Sequence, residues 1–200
     1  MRVAAFASGT GTNLQALIDS QERGELLPAE LSLVIVNKKA QAQERAQQAK
    51  IPNLRIDHTR YDQRSDFEDA LLRTLEEHQI DIVVLAGFMR ILSPHFVDHF
   101  PLRILNTHPA LCPAFPGVRA AQQAIEAGVK ITGCTVHFVD NGVDTGPVIF
   151  QEAVAILDTD STQTLQSRIQ AFEHALLPKA TRLLAAGKLR CDGRHVRVID

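Results

Sequence analysis

Cysteine is scarce in this chain, and positive charge is nowhere concentrated. The three cysteines, Cys112, Cys134 and Cys191, lie far apart and form no CxxC pair. This excludes a disulfide framework and a zinc ribbon, and it favours a reducing compartment such as the cytoplasm. The formal net charge is −2 and no dense run of lysine and arginine occurs. That balance argues against nucleic acid or an anionic membrane as the main partner.

Long apolar runs are also missing. No run reaches the roughly 18 residues of a membrane span, and the apolar stretch at the start is too short for a signal peptide. What the chain does contain is short apolar runs that alternate with segments of helical spacing, which is typical of an α/β fold with a mostly parallel sheet. The predicted strands of this part are 3–7, 31–37, 53–56, 81–89 and 104–108, and the predicted helices are 14–20, 40–50, 65–78 and 94–100.

The pattern changes after residue 116. A helix is predicted over 119–128, and the runs 131–139 and 147–156 then follow each other with no helix between them. Two such strands must pair antiparallel. A long helix from Ser161 to Gly187 and a hairpin with an Asp192-Gly193 turn complete the pattern. The 200 residues suit one domain.

The segment Ser8-Gly9-Thr10-Gly11-Thr12-Asn13, here called the glycine loop, joins the first strand to its helix. Backbone N–H groups at a helix N-terminus bind anions, and glycines allow a phosphate to approach closely. A dinucleotide site would need a third glycine where Leu14 stands and an acid after the second strand, and a P-loop would need a lysine. The pattern therefore favours a phosphate monoester. A plain capped turn is the alternative.

Asn106 and His108 lie two positions apart at the end of a predicted strand, so their side chains point to the same side. A carboxylate near the histidine would favour the charged imidazole, which could act as a general acid or stabilise an oxyanion beside the Asn106 amide. The glycine-rich segment DNGVDTGP offers Asp140 or Asp144 for this role. Each residue has an ordinary structural explanation as well, and spacing does not show that they meet.

Four stretches in this order resemble the phosphoribosylglycinamide formyltransferase family: ASGTGTNLQALID, LAGFMRILSP, LNTHPALCPAFPG and GCTVHFVDNGVDTGPVIFQ. The resemblance implies one domain over 1–200, with a phosphate-binding half over 1–100 and a catalytic and folate-binding half over 101–200. The implied fold is a mostly parallel twisted sheet with a Rossmann-like N-terminal half and antiparallel strands added in the C-terminal half.

The resemblance also implies a reaction, the transfer of a formyl group from 10-formyltetrahydrofolate to the amine of 5'-phosphoribosylglycinamide. Its motifs place the catalytic residues on Asn106, His108 and Asp144. Asn106 and protonated His108 would stabilise the tetrahedral oxyanion, and Asp144 would keep the imidazole charged and oriented. Folate serves as co-substrate, no metal is implied, and both partners are small molecules.

The same resemblance assigns the binding residues. The implied substrate-binding set is Gly11, Thr12, Asn13, Leu14, Gln15 and Glu173. The implied folate-binding set is Arg64, Met89, Arg90, Ile91, Leu92, Asn106, Asp140, Asn141, Gly142, Val143 and Asp144. Taken alone, Glu173 would be interpreted as a solvated helical carboxylate and Arg64 as surface charge.

Three alternatives remain at this level. A formyltetrahydrofolate hydrolase would share the catalytic residues and use water as acceptor, although its relatives carry an additional N-terminal domain. A non-catalytic module that binds a phosphorylated metabolite would retain the glycine loop alone. A cysteine nucleophile at Cys112 beside His108 is disfavoured, because nothing in the sequence indicates a lowered thiol pKa.

Overall fold

One sheet runs through the whole molecule. The computed structural model describes residues 1–199, and within them nine strands form a single sheet with six α-helices around it. The strands are β1 (Arg2–Ala7), β2 (Glu30–Val36), β3 (Asn53–Arg55), β4 (Ile82–Leu85), β5 (Ile104–His108), β6 (Ile131–Phe138), β7 (Val148–Ala155), β8 (Leu189–Asp192) and β9 (His195–Val198). The helices are α1 (Thr12–Glu22), α2 (Gln41–Gln48), α3 (Arg64–Glu77), α4 (Pro94–Val97), α5 (Ala120–Glu126) and α6 (Thr162–Ala185).

The first five strands are parallel, in the order β3-β2-β1-β4-β5. The chain moves outward from β1 to β3 and then returns to the other side of β1 with β4. In open parallel sheets, ligands bind beyond the carboxyl ends of the strands at such a switch point. The glycine loop follows β1 and the segment containing Met89 follows β4, so both lie at this point.

The second half adds antiparallel strands, as the sequence predicts. β6 pairs antiparallel with both β5 and β7. The hairpin of β8 and β9 joins the edge of the sheet through a parallel contact between Val148 and His195. Its turn consists of Gly193 and Arg194 rather than Asp192 and Gly193, because Asp192 still pairs with His195.

The sheet is buried on both faces around β1. Val3, Ala5 and Ala7 face the apolar cluster that includes residues of α1 and α6, whereas Ala4 and Phe6 face the cluster that includes residues of α3 and α4. Continuous apolar runs are typical of strands covered on both sides. This explains why the first strands show no alternation of polar and apolar residues.

The predicted starts of α6 near Ser161 and of α4 at residue 94 are confirmed, but α4 ends at Val97 and not at residue 100. Ser161 caps α6 through a reciprocal box with Thr164, and Ser93 precedes Pro94 at the first position of α4. The hydroxyl of Ser93 does not cap its own helix; it bonds to Glu68 instead. Among residues 1–199, no helix combines the length and apolarity needed to cross a membrane.

One predicted strand is wrong in extent. The apolar run 81–89 was expected to be strand throughout, but β4 ends at Leu85. Gly87 has a φ of +80°, a left-handed conformation that a strand does not allow and that glycine adopts without strain. The chain therefore leaves the sheet here, and residues 86–92 become available to form the wall of a cavity.

Candidate active site

A cavity of about 510 Å³ lies beyond the carboxyl ends of β4 and β5. One wall is the segment Met89–Leu92, the opposite wall is the segment between β6 and β7, and Asn106 and His108 lie between them. The cavity takes residues from both halves of the chain. Of the implied folate-binding residues, nine line it: Met89, Arg90, Ile91, Leu92, Asn106, Asp140, Gly142, Val143 and Asp144. Arg64 and Asn141 are not among its lining residues.

Asp144 is the carboxylate that meets the histidine. Its Oδ2 lies 3.3 Å from Nδ1 of His108 and accepts the N–H of Gly117 at 2.8 Å. Its Oδ1 accepts an N–H of the Asn106 amide at 3.3 Å. Asp140, which the sequence left as an alternative, accepts the N–H of Gly142 and the hydroxyl of Thr145, so its carboxylate shapes the turn.

His108 is held between two acceptors. It is 4% exposed, and its Nε2 lies 2.8 Å from the carbonyl oxygen of Phe115 while Nδ1 faces Asp144. A neutral imidazole carries a hydrogen on one nitrogen only, so it could donate to one of these acceptors and not to both. The structure thus places a protein oxygen beside each ring nitrogen of His108.

Asp144 is maintained as an anion by its neighbours. Burial alone would raise the pKa of Asp144, but the ring of His137, the N–H of Gly117 and the nearby His108 outweigh burial and hold this pKa below its ordinary value of 3.8. Asp144 also adopts a left-handed backbone, with φ of +54°. Aspartate and asparagine tolerate this conformation better than most residues.

His137 belongs to the same cluster, and the sequence analysis missed it. β5 and β6 pair so that His137 lies directly opposite Asn106, and the Asn106 amide nitrogen is 3.2 Å from its Nε2. Nδ1 of His137 lies 2.7 Å from the carbonyl oxygen of Phe138, and its Nε2 lies 3.7 Å from Oδ1 of Asp144. The quoted motif GCTVHFV contains this residue, but only the strand register shows which side chain it meets.

The glycine loop is anchored on both sides. The hydroxyl of Ser8 donates to Asn37 at 2.7 Å and accepts the N–H of Met89 at 2.8 Å, which ties the loop to the wall of the cavity. Gly11 has a φ of +74°, and a Cβ there would lie 2.7 Å from Cβ of Ala42. Glycine is therefore required at this position by both conformation and space.

The side chains after Gly11 differ in whether a ligand could contact them. Leu14 is fully buried in the core and Asn13 is 8% exposed, so only their backbone groups could meet a ligand outside the loop. The side chain of Asn13 lies beside Glu173, and its Oδ1 has no hydrogen-bond partner among residues 1–199. Thr12 and Gln15 line a second, smaller cavity of about 300 Å³.

Glu173 is buried rather than solvated, contrary to what its position alone suggested. It is 3% exposed and accepts the hydroxyl of Thr107 at 3.0 Å. Burial raises the pKa of Glu173, and the contacts with Thr107 and Asn13 only partly offset this effect. Glu173 therefore joins Thr107 of β5 to Asn13 at the start of α1.

Arg64 contacts the wall segment Met89–Leu92. Its Nε donates to Glu68 at 2.9 Å and its Nη2 donates to the carbonyl oxygen of Ile91 at 2.5 Å. Glu68, which the sequence analysis did not single out, is 1% exposed and also accepts the backbone N–H of Ser93 at 2.8 Å. These contacts fix both ends of the segment Ile91–Ser93.

Replacing Glu68 by Ala is expected to lower the free energy of unfolding by about 1–3 kcal/mol, because the half-buried N–H and hydroxyl of Ser93 would lose the carboxylate that accepts from them. Urea unfolding followed by circular dichroism would measure the change. Glu76→Ala on the exposed face of the same helix is the matched control and should change stability by less than about 0.5 kcal/mol. Equal stability of the two variants would contradict this account of Glu68.

The cysteine alternative loses support from the structure. Burial raises the pKa of the Cys112 thiol, and the charge of Asp144 adds to the shift. A thiol is a nucleophile only as thiolate, so this environment suits a structural cysteine. Within residues 1–199, no group of three or more histidine, cysteine, aspartate or glutamate side chains is arranged to hold a metal ion.

The comparisons with known proteins agree with the α/β fold. The formyl transferase family model matches residues 1–181, so the chain belongs to the formyl transferase family. It is 42% identical to the phosphoribosylglycinamide formyltransferase of Mycobacterium tuberculosis over 193 residues, which cover 96% of this chain and 89% of that one. The structure of glycinamide ribonucleotide transformylase 1 from Symbiobacterium toebii superimposes with a TM-score of 0.97 at 45% identity, covering all of this chain and 94% of that one.

Other relatives are much longer. The chain is 48% identical over 190 residues to the human trifunctional purine biosynthetic protein adenosine-3, and the match covers 94% of this chain. It spans only 19% of the length of that relative.

Proposed function

We propose that this chain is a phosphoribosylglycinamide formyltransferase of purine biosynthesis. It transfers the formyl group of 10-formyltetrahydrofolate to the glycinamide amine of 5'-phosphoribosylglycinamide, within one domain and with small molecules as its ligands. A reducing compartment such as the cytoplasm suits its three free cysteines. The observation that carries the proposal is that Asn106, His108 and Asp144 meet at the wall of one cavity, beside the glycine loop.

The reaction requires stabilisation of negative charge on one oxygen. The amine attacks the formyl carbon, a C–N bond forms, and the carbonyl electrons move onto the oxygen of a tetrahedral intermediate. Cationic His108 and the amide of Asn106 act as donors to this oxyanion, with Nε2 of His108 exchanging the carbonyl oxygen of Phe115 for the substrate oxygen. Asn106 already donates to Asp144, so the oxyanion would compete with that carboxylate for one amide hydrogen.

Collapse of the intermediate breaks the bond between the formyl carbon and the folate nitrogen. The attacking amine must lose a proton and the departing nitrogen must gain one, so the overall exchange is neutral. His108 is the group through which that proton passes, directly or by way of a water molecule. Asp144 keeps the ring cationic and oriented, because its oxygen faces Nδ1.

The two substrates approach from different sides of the catalytic strand. The phosphate of the acceptor binds to backbone N–H groups of Gly11, Thr12 and Asn13 at the start of α1, where anions are favoured. Glu173 supplies an acceptor for the ribose hydroxyls. The pterin of the co-substrate lies between Met89–Leu92 and the segment that carries Asp140 and Asp144.

The test mixes the protein with 10-formyl-5,8-dideazafolate and phosphoribosylglycinamide, and follows the absorbance of the deformylated folate. We expect product only when both substrates are present. Product without acceptor would favour a formyltetrahydrofolate hydrolase. Binding of the phosphorylated acceptor by calorimetry without any turnover would favour a non-catalytic module.

A further inference from the structure

The glycine loop is an anion site that contains no cation of its own. Residues 8–15 include no lysine, arginine or histidine, although a phosphate monoester carries close to two negative charges at neutral pH. Backbone N–H groups and a helix N-terminus contribute only partial charges. A basic side chain from outside the loop would complete the site, and the structure has one at the loop.

Arg45 of α2 reaches the loop and holds it at two points. Its Nε donates to the carbonyl oxygen of Thr10 at 2.8 Å, and its Nη1 donates to Oε1 of Gln15 at 2.9 Å. Gln15 in turn donates to Asp19 at 2.7 Å. One guanidinium therefore joins the residue before Gly11 to the first turn of α1, on either side of the proposed phosphate-binding N–H groups.

The start of α2 is built against the same loop. The N–H of Ala42 donates to the carbonyl oxygen of Gly9 at 3.1 Å, and Ala42 occupies the space beside Gly11 that a Cβ would need. Arg45 is one turn further along this helix and half-buried. The packing of α2 at Ala42 thus fixes the point from which the side chain of Arg45 reaches the loop.

The smaller cavity of about 300 Å³ borders Thr12, Gln15 and Arg45. Arg23 and Asp19 also line it, and the guanidinium of Arg23 pairs with Glu25, which lies outside the cavity lining. Burial lowers the pKa of His174, which faces the same cavity, so that ring stays neutral near pH 7. Arg45, whose hydrogen bonds go to the neutral oxygens of Thr10 and Gln15, is therefore the cation that this cavity offers beside the loop.

We propose that Arg45 determines the preference for a phosphorylated acceptor, by holding the glycine loop in its anion-binding shape and by supplying the positive charge that the loop lacks. This inference rests on the proposed function. Arg45 acts here as a positioning and specificity residue, since its Nε and Nη1 hydrogen bonds are made to protein atoms. Its loss should weaken binding of the phosphate and leave the chemistry at His108 intact.

The experiment compares the phosphorylated acceptor with the same compound lacking its phosphate. Arg45→Met keeps most of the aliphatic side chain and removes the charge and the donors. We expect kcat/KM for the phosphorylated acceptor to fall about 10- to 100-fold through KM, with kcat within about threefold of the parent. kcat/KM for the dephosphorylated acceptor and KM for the folate should change by less than about threefold.

Two further variants separate charge from geometry. Arg45→Lys keeps the charge without the planar fork, so it should recover part of the phosphate preference. Arg23→Met is the matched control, because Arg23 lines the same cavity while its guanidinium pairs with Glu25 at 2.7 Å. The control should retain the preference of the parent. All variants are first compared with the parent by thermal unfolding.

An Arg45→Met enzyme that folds and keeps the parent's preference would overturn the inference. So would a loss that is equal for both acceptors, because that result indicates a structural role alone. A parent protein that formylates neither acceptor would contradict the proposed function instead. In that case calorimetric binding of the phosphorylated compound to the parent and to the Arg45 variants still tests the role of Arg45.

Discussion

Replacing Asp144 by Asn should lower kcat by about 10²- to 10⁴-fold while the protein remains folded. The carboxylate faces Nδ1 of His108 at 3.3 Å, and an amide in its place removes the anion that favours the cationic ring. The Asn side chain would also present a donor to a site surrounded by donors. Steady-state kinetics with both substrates would measure the loss, and KM for each should change far less than kcat.

Asn is the informative replacement because it removes the negative charge of residue 144 without disfavouring the backbone conformation found there. Asp144 has φ of +54°, and asparagine accepts this left-handed conformation about as well as aspartate does. Asp140→Asn is the control: that carboxylate lines the same cavity but bonds to its own turn. Near-normal turnover of Asp144→Asn at neutral pH would contradict the role given to the carboxylate.

The same variant has a consequence for acid stability. The pKa of Asp144 is lower in the folded chain than its ordinary value of 3.8, so the ionised carboxylate stabilises the fold above that pH. This contribution is lost as the pH falls from 3.8 through the lowered value. The difference in unfolding free energy between the parent and Asp144→Asn should therefore shrink over that acidic range.

Replacing Gly146 by Ala should destabilise the fold by about 3 kcal/mol or more, which is at or above the upper end for an overpacked site. A Cβ at this position would lie 1.8 Å from the backbone oxygen of Phe138. Backbone cannot rotate away as a side chain can, so the segment between β6 and β7 must shift. Because Asp144 lies on that segment, turnover should fall together with stability.

Chemical denaturation of this variant and of Gly9→Ala would test the prediction. A Cβ at Gly9 would have no heavy atom of the described chain within 4 Å, so its effect on stability should be small by comparison. Equal effects would show that loss of glycine flexibility, and not the clash with Phe138, governs the result. Unchanged activity of a folded Gly146→Ala protein would contradict the link to Asp144.

The placement of Asn106 and His108 at one cavity was predictable because it depends on a local rule. Asn106 and His108 are two residues apart, and the period of a strand alone directs them to the same side. Asp144 was not separable from Asp140 by the same means, since both lie in a glycine-rich turn. Their difference arises from how the turn folds back on β5, which is a long-range contact.

The contacts of His137 and Glu68 could not be predicted from the residues near them in sequence. The pairing of β5 with β6 brings His137 opposite Asn106, and nothing within either strand specifies that register. Glu68 has the sequence context of an exposed helical carboxylate but is buried against Arg64 and Ser93. The early end of β4 has a local cause in the left-handed backbone of Gly87. The sequence did not reveal this end because apolar residues continue on both sides of the glycine.

The strand Ile104–His108 makes different contacts on its two faces. Asn106 and His108 contact Asp144, whereas Thr107 between them contacts Glu173 on the long helix. Inserting a single residue ahead of Asn106 would exchange these sides, turning the imidazole and the amide toward the helix and the hydroxyl toward the cavity. We therefore expect natural variation in the length of this segment to occur in steps of two residues, with odd changes compensated within the same strand.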